Sequence, residues 1–259
     1  MPQEQLDFAV GGRHAGATLW LPETEAGAEP LPAVLICPQP PAAVHDFTAL
    51  VAELRTALND AGLAAASLNP PANPPQADAT ITDCVDDASA AFRQLLLHDK
   101  IEGDRVGVFG VELGALIAAA LAGRTDRIAR LCLLGPVTNT EVLSRIAKPD
   151  SSAALLDGGA VSESLVDTLG TLTPLKEVAT HQRPTLIIHA AADKIVALPH
   201  VEPYLEALAG GASPTRFELV ARADHTFSDL DIRTACLARI GSFFSETIAT
   251  PLPDRRAET

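Results

Sequence analysis

The stretch Val106–Ala115 reads Val-Gly-Val-Phe-Gly-Val-Glu-Leu-Gly-Ala, and it decides how the rest of the chain is interpreted. It begins as a short apolar run typical of a strand buried on both faces, and it continues into an alanine-rich segment typical of a buried helix. Gly110 and Gly114 flank Glu112 at the turn between them. Such a sharp turn strains the backbone of its central residue, and side chains at the two glycines would collide with neighbouring backbone. The stretch therefore predicts a strand, a tight turn centred on Glu112, and a helix.

Segments on both sides of this turn alternate between strand and helix patterns. Apolar runs without polar alternation predict strands covered on both faces, and apolar residues at helical spacing predict the helices between them. The predicted strands are Ala33–Cys37, Ala64–Leu68, Val106–Phe109, Ile128–Leu134, Thr185–Ala190 and Arg216–Val220, and the predicted helices are Phe47–Leu58, Thr82–Leu97, Leu113–Leu121, Val201–Leu208 and Leu230–Phe244. At the start, Leu6–Val10 and Gly16–Leu21 flank a Gly-Gly-Arg-His turn and predict an antiparallel hairpin. The alternation predicts an α/β fold with a doubly wound, mostly parallel sheet.

Two stretches interrupt this alternation. Residues 69–78 contain four prolines and predict a loop, because proline lacks the N–H that a helix or an inner strand needs. Residues 137–180 lie between two predicted core strands and are too long for an ordinary connection, so they predict a small cap insertion with helices of its own. The predicted core consists of residues 1–136 and 181–249, and residues 250–259 are predicted to form a flexible tail.

The composition limits the classes of function. Of the 259 residues, 47% are hydrophobic and 20% are charged, as in a soluble globular protein with a full core. The net charge of −14 repels nucleic-acid phosphate and anionic lipid, so neither is an expected partner. No apolar run is long enough to cross a bilayer, and residues 1–9 do not resemble a signal peptide. We expect a cytoplasmic protein that binds a small-molecule substrate or ligand, with homodimer formation left open.

The cysteines predict neither a metal site nor a disulfide framework. They lie dozens of residues apart without a Cys-x-x-Cys pair, and we expect them to be buried thiols: Cys37, Cys84, Cys132 and Cys236. We expect the protein to use no cofactor and no metal ion.

The turn around Glu112 resembles the nucleophile elbow of the α/β-hydrolase superfamily, which reads Gly-x-Ser-x-Gly in the same strand–turn–helix context. The resemblance extends from Leu6 to about Thr247, and the start of the core is similar to the small serine-hydrolase and dienelactone-hydrolase-like members. This family has an acid after the next core strand and a histidine after the last one. Asp193 and His225 occupy these positions here. The resemblance implies an α/β-hydrolase fold with a small helical cap and an atypical triad of Glu112, Asp193 and His225.

Glu112 replaces the serine of the family, and three hypotheses remain open for it. In the first, it forms an ion pair with protonated His225 in a protein without hydrolase chemistry. In the second, it is a nucleophile that forms an ester, as the aspartate of haloalkane dehalogenases and epoxide hydrolases does, and water activated by His225 later cleaves that ester. In the third, it is a general base that removes a proton from a substrate in a dry pocket. A carboxylate cannot form the acyl-enzyme of an ordinary serine esterase.

The loop after the first core strand also departs from the family pattern. Relatives carry His-Gly or His-Pro there and use a backbone N–H of the loop in the oxyanion hole, whereas Cys37–Ala42 reads Cys-Pro-Gln-Pro-Pro-Ala. Because proline has no N–H, only Gln39 or Ala42 can donate from this loop. The resemblance implies Gln39 and Leu113 as the oxyanion-hole or pocket residues. The loss of both the serine and a loop donor argues against acyl transfer through a tetrahedral oxyanion.

Dehalogenases and epoxide hydrolases rely on side-chain donors that this sequence lacks at the matching places. The single tryptophan is Trp20 in the hairpin, and the single tyrosine is Tyr204, outside the predicted cap. We therefore expect non-hydrolytic acid/base chemistry, such as a cyclisation, isomerisation or elimination of a small organic substrate, by Glu112 and His225. The alternatives are a noncatalytic protein that binds a ligand or a partner protein, and an ester or thioester hydrolase with a carboxylate nucleophile.

Overall fold

An eight-stranded sheet forms the centre of the molecule in the computed structural model, which describes residues 2–23, 29–37, 47–69, 80–138 and 167–246. The strands are β1 (Gln3–Val10), β2 (Arg13–Trp20), β3 (Leu31–Cys37), β4 (Ala64–Leu68), β5 (Ile101–Val111), β6 (Leu131–Leu134), β7 (Thr185–Ala190) and β8 (Thr215–Val220). Their order across the sheet is β1-β2-β4-β3-β5-β6-β7-β8. β2 is antiparallel to β1 and to β4, and all further pairs are parallel. The predicted mostly parallel sheet with an N-terminal antiparallel hairpin is confirmed.

Helices cover both faces of the sheet. They are α1 (Thr48–Asp60), α2 (Ile81–Leu97), α3 (Leu113–Ala122), α4 (Pro174–Val178), α5 (Glu202–Leu208) and α6 (Leu230–Ser245), with a 3₁₀ turn at Leu198–His200 before α5. Apolar side chains of α1 and α6 share a core cluster with one face of the sheet, and those of α2 to α5 share another cluster with the opposite face. A sheet buried between two helical layers is what the strand–helix alternation predicts.

The segment from β5 into α3 is the most deeply buried part of this core. Every residue of β5 from Val106 to Val111 is buried, and so are all ten residues of α3. A helix that is apolar on all sides is stable only when other elements surround it. The sheet and helices α2 and α4 pack around α3 and meet this requirement.

The chain passes from β5 to α3 through a close backbone contact at Gly110. A Cβ atom added at this position would lie 2.3 Å from the carbonyl oxygen of Gly114 and 2.6 Å from the Cα of Ala115. Both obstacles are backbone atoms, so no side-chain rotation can relieve the clash. The predicted collision at Gly110 is confirmed, and glycine at this position lets α3 leave directly from the end of β5.

The hairpin turn is shorter than the sequence pattern indicated. It consists of Gly11 and Gly12, with φ of 57° and 80°, while Arg13 and His14 already pair with β1. Two consecutive residues at positive φ form the turn whose twist matches that of the flanking strands. The two glycines alone therefore set the register of β1 against β2.

Several strands also begin at other residues than predicted, among them β5 and β6. β5 begins at Ile101 rather than Val106, because Leu31 of β3 pairs with Ile101 and extends the ladder. β6 begins at Leu131 rather than Ile128, although Ile128 is fully buried. An apolar run in the sequence indicates that its residues are buried, but a buried residue need not belong to a strand of the sheet.

Several predicted features fall largely outside the described residues. Of the predicted loop 69–78, only Asn69 is described, and the predicted tail 250–259 lies wholly outside. Of the predicted cap 137–180, the structure describes residues 137–138 and 167–180, which include α4. The cap and its helices therefore stay a prediction.

Two further expectations concern membrane-spanning segments and the state of the cysteines. None of these helices combines the length and the apolar character that a membrane span requires. The four cysteines are free thiols, of which Cys37, Cys132 and Cys236 are buried and Cys84 is partly exposed.

The contact at Gly110 yields a stability prediction. Gly110→Ala should lower the free energy of unfolding by about 3 kcal/mol, because the new methyl group forces backbone apart in a well-packed core. Gly210→Ala is the matched control, since a Cβ there meets nothing within 4 Å. Urea unfolding followed by circular dichroism measures both variants. Equal stability of the two variants would contradict the close contact.

Candidate active site

The carboxyl ends of three parallel strands bring the predicted catalytic residues together. Glu112 follows β5 directly, Asp193 lies in the turn after β7, and His225 lies in the turn after β8. Carboxyl ends of parallel strands meet at one edge of the sheet, where α/β proteins generally bind their ligands. Residues far apart in the sequence are therefore neighbours at this edge.

Glu112 occupies a strained backbone conformation between β5 and α3. Its φ is 51° and its ψ is −111°, and the residue is 3% exposed. Its N–H donates to the carbonyl oxygen of Leu134 at 3.0 Å, and its own carbonyl accepts from the N–H of Ala115 at 3.0 Å. Such a conformation costs a non-glycine residue about 1–3 kcal/mol. The strained turn predicted from the sequence is thus present with glutamate at its centre.

Asp193 is held by hydrogen bonds to both of its carboxylate oxygens. Oδ1 accepts from the N–H groups of Ile195 and Val196, each at 2.8 Å, and Oδ2 accepts from Nδ1 of His225 at 2.8 Å. Burial alone would raise the pKa of Asp193, but these hydrogen bonds and the imidazole charge hold that pKa below its usual value. The aspartate is therefore an ionised, fixed partner of the histidine.

The loop that carries His225 is attached to neighbouring elements. The carbonyl of Ala223 accepts from the N–H of Ala192, which joins this loop to the turn that carries Asp193. On the other side of His225, the carbonyl of Phe227 accepts from Arg233 of α6 at 3.1 Å. Arg233 also donates two hydrogen bonds of 2.8 Å to the carboxylate of Glu53 in α1. These contacts fix the loop and leave the imidazole little freedom.

Glu112 and His225 form a buried ion pair. The distance between Glu112 Oε2 and His225 Nε2 is 3.7 Å, and the two side chains are 4% and 8% exposed. Burial alone would lower the pKa of His225, but the hydrogen bond to Asp193 and the contact with Glu112 outweigh it and raise the pKa to about 9. His225 is therefore protonated at neutral pH and lies between two carboxylates.

A small cavity adjoins the ion pair. Among the described residues, its lining includes the three predicted catalytic residues together with Phe47, Val111, Leu134, Gly135, Ala190 and Phe227. The ring of Phe47 packs edge-on against the imidazole of His225, with 5.5 Å between the ring centres. The cavity volume is about 10 Å³, which is room for a single water molecule. Glu112, Asp193 and His225 thus face a space that is mostly apolar and very small.

His189 contributes to the site although the sequence pattern did not indicate it. It is fully buried in β7, and its Nε2 donates to the carbonyl of Val196 at 3.1 Å. Burial lowers the pKa of His189, so its ring is neutral. Because the N–H of Val196 binds Asp193, His189 supports the turn that holds the acid. The sequence does contain one signal for this role: a histidine lies in a mostly apolar strand, four residues before Asp193.

Of the two residues predicted for the oxyanion hole, the structure describes only Leu113. Gln39 lies outside the described residues. Leu113 has its side chain in the core cluster around α3 and does not line the cavity. Its N–H belongs to the first turn of a helix, where donors have no acceptor within the helix. Leu113 can therefore contribute to the site through its backbone.

Within residues 2–23, 29–37, 47–69, 80–138 and 167–246, no three His, Cys, Asp or Glu side chains are grouped so that they could hold a metal ion.

Many solved structures have the same fold, and the three that follow share under 25% of their residues with this chain. Est1E from Butyrivibrio proteoclasticus superposes with a TM-score of 0.75 at 17% identity, covering 95% of this chain and 99% of that chain. The esterase domain of a Rhodothermus marinus protein gives a TM-score of 0.70 at 19% identity, covering 95% and 98%. A puromycin-hydrolysing peptidase from Mycobacterium tuberculosis gives 0.71 at 17% identity, covering 96% of this chain and 39% of the peptidase. These similarities establish the α/β-hydrolase fold.

Sequence comparison gives a more specific result. A search of curated proteins found no match. The model of the prolyl oligopeptidase family, by contrast, matches residues 78–250, about two thirds of the 259 residues, and this span includes Glu112, Asp193 and His225. This chain therefore belongs to the prolyl oligopeptidase family, within the α/β-hydrolase superfamily.

Proposed function

We propose that this protein is an enzyme in which Glu112 and His225 carry out non-hydrolytic acid/base chemistry on a small organic substrate. The observation that carries this proposal is the buried contact of 3.7 Å between a carboxylate at the elbow and a protonated imidazole. The reactions that fit such a pair are cyclisations, isomerisations and eliminations, in which one group removes a proton and another delivers one.

The protonation state of His225 supports this assignment of roles. In a serine hydrolase the histidine must be neutral, because it accepts the proton of the attacking hydroxyl group. Here the pKa of His225 is about 9, so at neutral pH the imidazole already carries its proton and acts as the general acid. Glu112 is then the general base, and Asp193 positions the imidazole and stabilises its charge.

The surroundings of Glu112 support its role as a base. The lining side chains are mostly apolar, so a bound substrate would displace water from the carboxylate and increase the strength of electrostatic interactions. A cavity of about 10 Å³ does not hold an organic molecule, so the proposal requires lining side chains to move apart on binding.

A noncatalytic protein is the second candidate, and the size of the cavity favours it. In that case the Glu112–His225 pair is a permanent structural contact, and the protein binds a ligand or a partner protein elsewhere. A third candidate, hydrolysis of an ester or thioester with Glu112 as nucleophile, draws support from the esterase and peptidase names of the structural neighbours. This mechanism requires a neutral His225 that activates water. Because the pKa of His225 is about 9, the imidazole is mostly protonated below that pH and cannot act as this base.

Hydrogen–deuterium exchange at carbon tests the proposed chemistry directly. In D2O the wild-type protein should accelerate exchange of the α-hydrogens of acetone, the smallest ketone, and Glu112→Gln should reduce the protein-dependent rate by about 100-fold, the usual contribution of a general base. Proton NMR measures the exchange. Glu102→Gln, which alters a half-exposed carboxylate on β5, should retain the wild-type rate. Equal rates in the wild type and Glu112→Gln would favour the noncatalytic candidate.

The same assay predicts a pH dependence. The acid role of His225 needs its proton, and the folded pKa of about 9 lies above the ordinary 6.5. The protein-dependent rate should therefore be maintained from pH 7 to 8 and fall as the pH rises through about 9. A rate that increases through pH 9 would assign His225 the role of a base instead.

Chemical labelling tests the departure from serine hydrolases. Wild-type protein should neither react with a fluorophosphonate nor hydrolyse p-nitrophenyl acetate at an esterase rate, because it has no serine at the elbow. Glu112→Ser should restore labelling through Asp193 and His225, and Glu112→Ser combined with His225→Gln should abolish it again. Mass spectrometry locates the label. Ser228, which donates a hydrogen bond to Asp224, is the residue to inspect if the wild type becomes labelled.

Titration of His225 tests the ion pair itself. Glu112→Gln removes a charge next to the ring, so the pKa of His225 should fall below the wild-type value of about 9, while Glu102→Gln should leave it unchanged. NMR of the ring protons measures both. Because the folded pKa exceeds the unfolded value of about 6.5, the stabilisation is complete below pH 6.5 and is lost as the pH rises through 9. An unchanged pKa in Glu112→Gln would show that the two groups are not neighbours in solution.

A further inference from the structure

The outer edge of the sheet at β8 combines an unpaired strand with an exposed apolar face. Within the described ranges β8 pairs with β7 alone and is the last strand of the sheet. Phe217 and Leu219 are 38% and 46% exposed, and as alternate residues of one strand they lie on the same face. An apolar edge strand is a template for pairing with another strand, and proteins that stay monomeric usually block such edges.

The hydrogen bonds to β7 identify which backbone groups of β8 are available. The carbonyls of Pro214 and Val220 accept from the N–H groups of Thr185 and Ala191, so these even-numbered residues face β7. Backbone groups alternate in direction along a strand. The N–H and C=O groups of Thr215, Phe217 and Leu219 therefore point outward from the sheet.

We propose that two copies of this chain pair through β8 in antiparallel orientation, with the two-fold axis at Phe217. In this register the outward groups of Thr215 meet those of Leu219 in the partner, and Phe217 meets its own copy. Each of these pairs can exchange two backbone hydrogen bonds, as in an ordinary antiparallel ladder. The result is one continuous sheet of sixteen strands, with Phe217 and Leu219 of both copies forming a shared apolar strip on one face. A symmetric pairing of identical patches is the commonest form of homodimer.

The charges of Arg216 and Glu218 favour this register over the two registers that are shifted by one residue. With the axis at Phe217, Arg216 of each copy lies opposite Glu218 of the other, on the face covered by α6. A shift of the axis to Arg216 would place two arginines opposite each other, and a shift to Glu218 would place two glutamates opposite each other. Opposite charges facing each other across strands stabilise a pair, and like charges destabilise it. Each of these side chains also has a partner in its own chain, because Arg216 binds Glu246 and Glu218 binds Arg239 of α6.

Two single variants and their mixture test the register. Arg216→Glu puts glutamate opposite Glu218, and Glu218→Arg puts arginine opposite Arg216, so each variant alone should be monomeric. An equimolar mixture restores two opposite-charge pairs and should form heterodimers. Sedimentation velocity at about 100 µM chain, a concentration suited to a small interface, measures the assembly state, and circular dichroism confirms that each variant is folded. Wild-type protein should be dimeric under the same conditions.

Substitution of the apolar strip provides an independent readout. Leu219→Lys should dissociate the dimer, whereas Leu97→Lys, at an apolar residue of α2 that is 79% exposed, should not. Leu219 projects from an edge strand toward solvent, so the lysine variant remains folded. A monomeric wild type would overturn the proposal, and so would a dimer that persists in Arg216→Glu and Leu219→Lys. Two variants that stay monomeric when mixed would overturn the register. None of these results depends on the chemistry proposed for Glu112.

Discussion

The contact between Gly110 and the backbone of Gly114 determines the geometry of the whole site. It allows α3 to leave the sheet at the end of β5, and this exit holds Glu112 at a positive φ of 51°. The surrounding core stabilises that conformation, because residues 106–111 of β5 and all ten residues of α3 are buried. The position of the elbow residue is therefore set by backbone packing and does not depend on its side chain. Serine or glutamate at position 112 faces the same imidazole.

A carboxylate at position 112 changes the protonation state of the neighbouring His225. A serine hydroxyl is neutral and leaves the histidine with one charged partner, the aspartate. Glu112 adds a second anion, and His225 is consequently held as a cation well above neutral pH. In the proposed function, glutamate at this fixed backbone position thus reverses the role available to the imidazole, from acceptor to donor of a proton. The proposed reversal is local, because it involves neither the strand order of the sheet nor the Asp193–His225 hydrogen bond of 2.8 Å.

The sequence predicted the elements and the order of the site residues, because both depend on local patterns. Apolar runs identified the strands, and Glu112, Asp193 and His225 each follow one of them at its carboxyl end. Properties that depend on packing between distant segments were not predictable in this way. The volume of the cavity depends on how Phe47 and Phe227 approach His225 from different elements. The role of His189 depends on a carbonyl seven residues later that turns back towards β7. The start of β6 was predicted wrongly for the same reason. Ile128 is buried, but a buried residue need not pair with a neighbouring strand.

The hydrogen bond from Ala192 to Ala223 has a consequence for motion in the site. It joins the turn carrying Asp193 to the loop carrying His225, and Arg233 joins that loop to α1 through Glu53. Local openings in proteins involve groups of residues that share such bonds. The two loops should therefore open as one cooperative unit, so that their amide protons exchange with solvent at a common rate. Asp193 and His225 then separate from Glu112 together, and each opening exposes all three side chains to water at once.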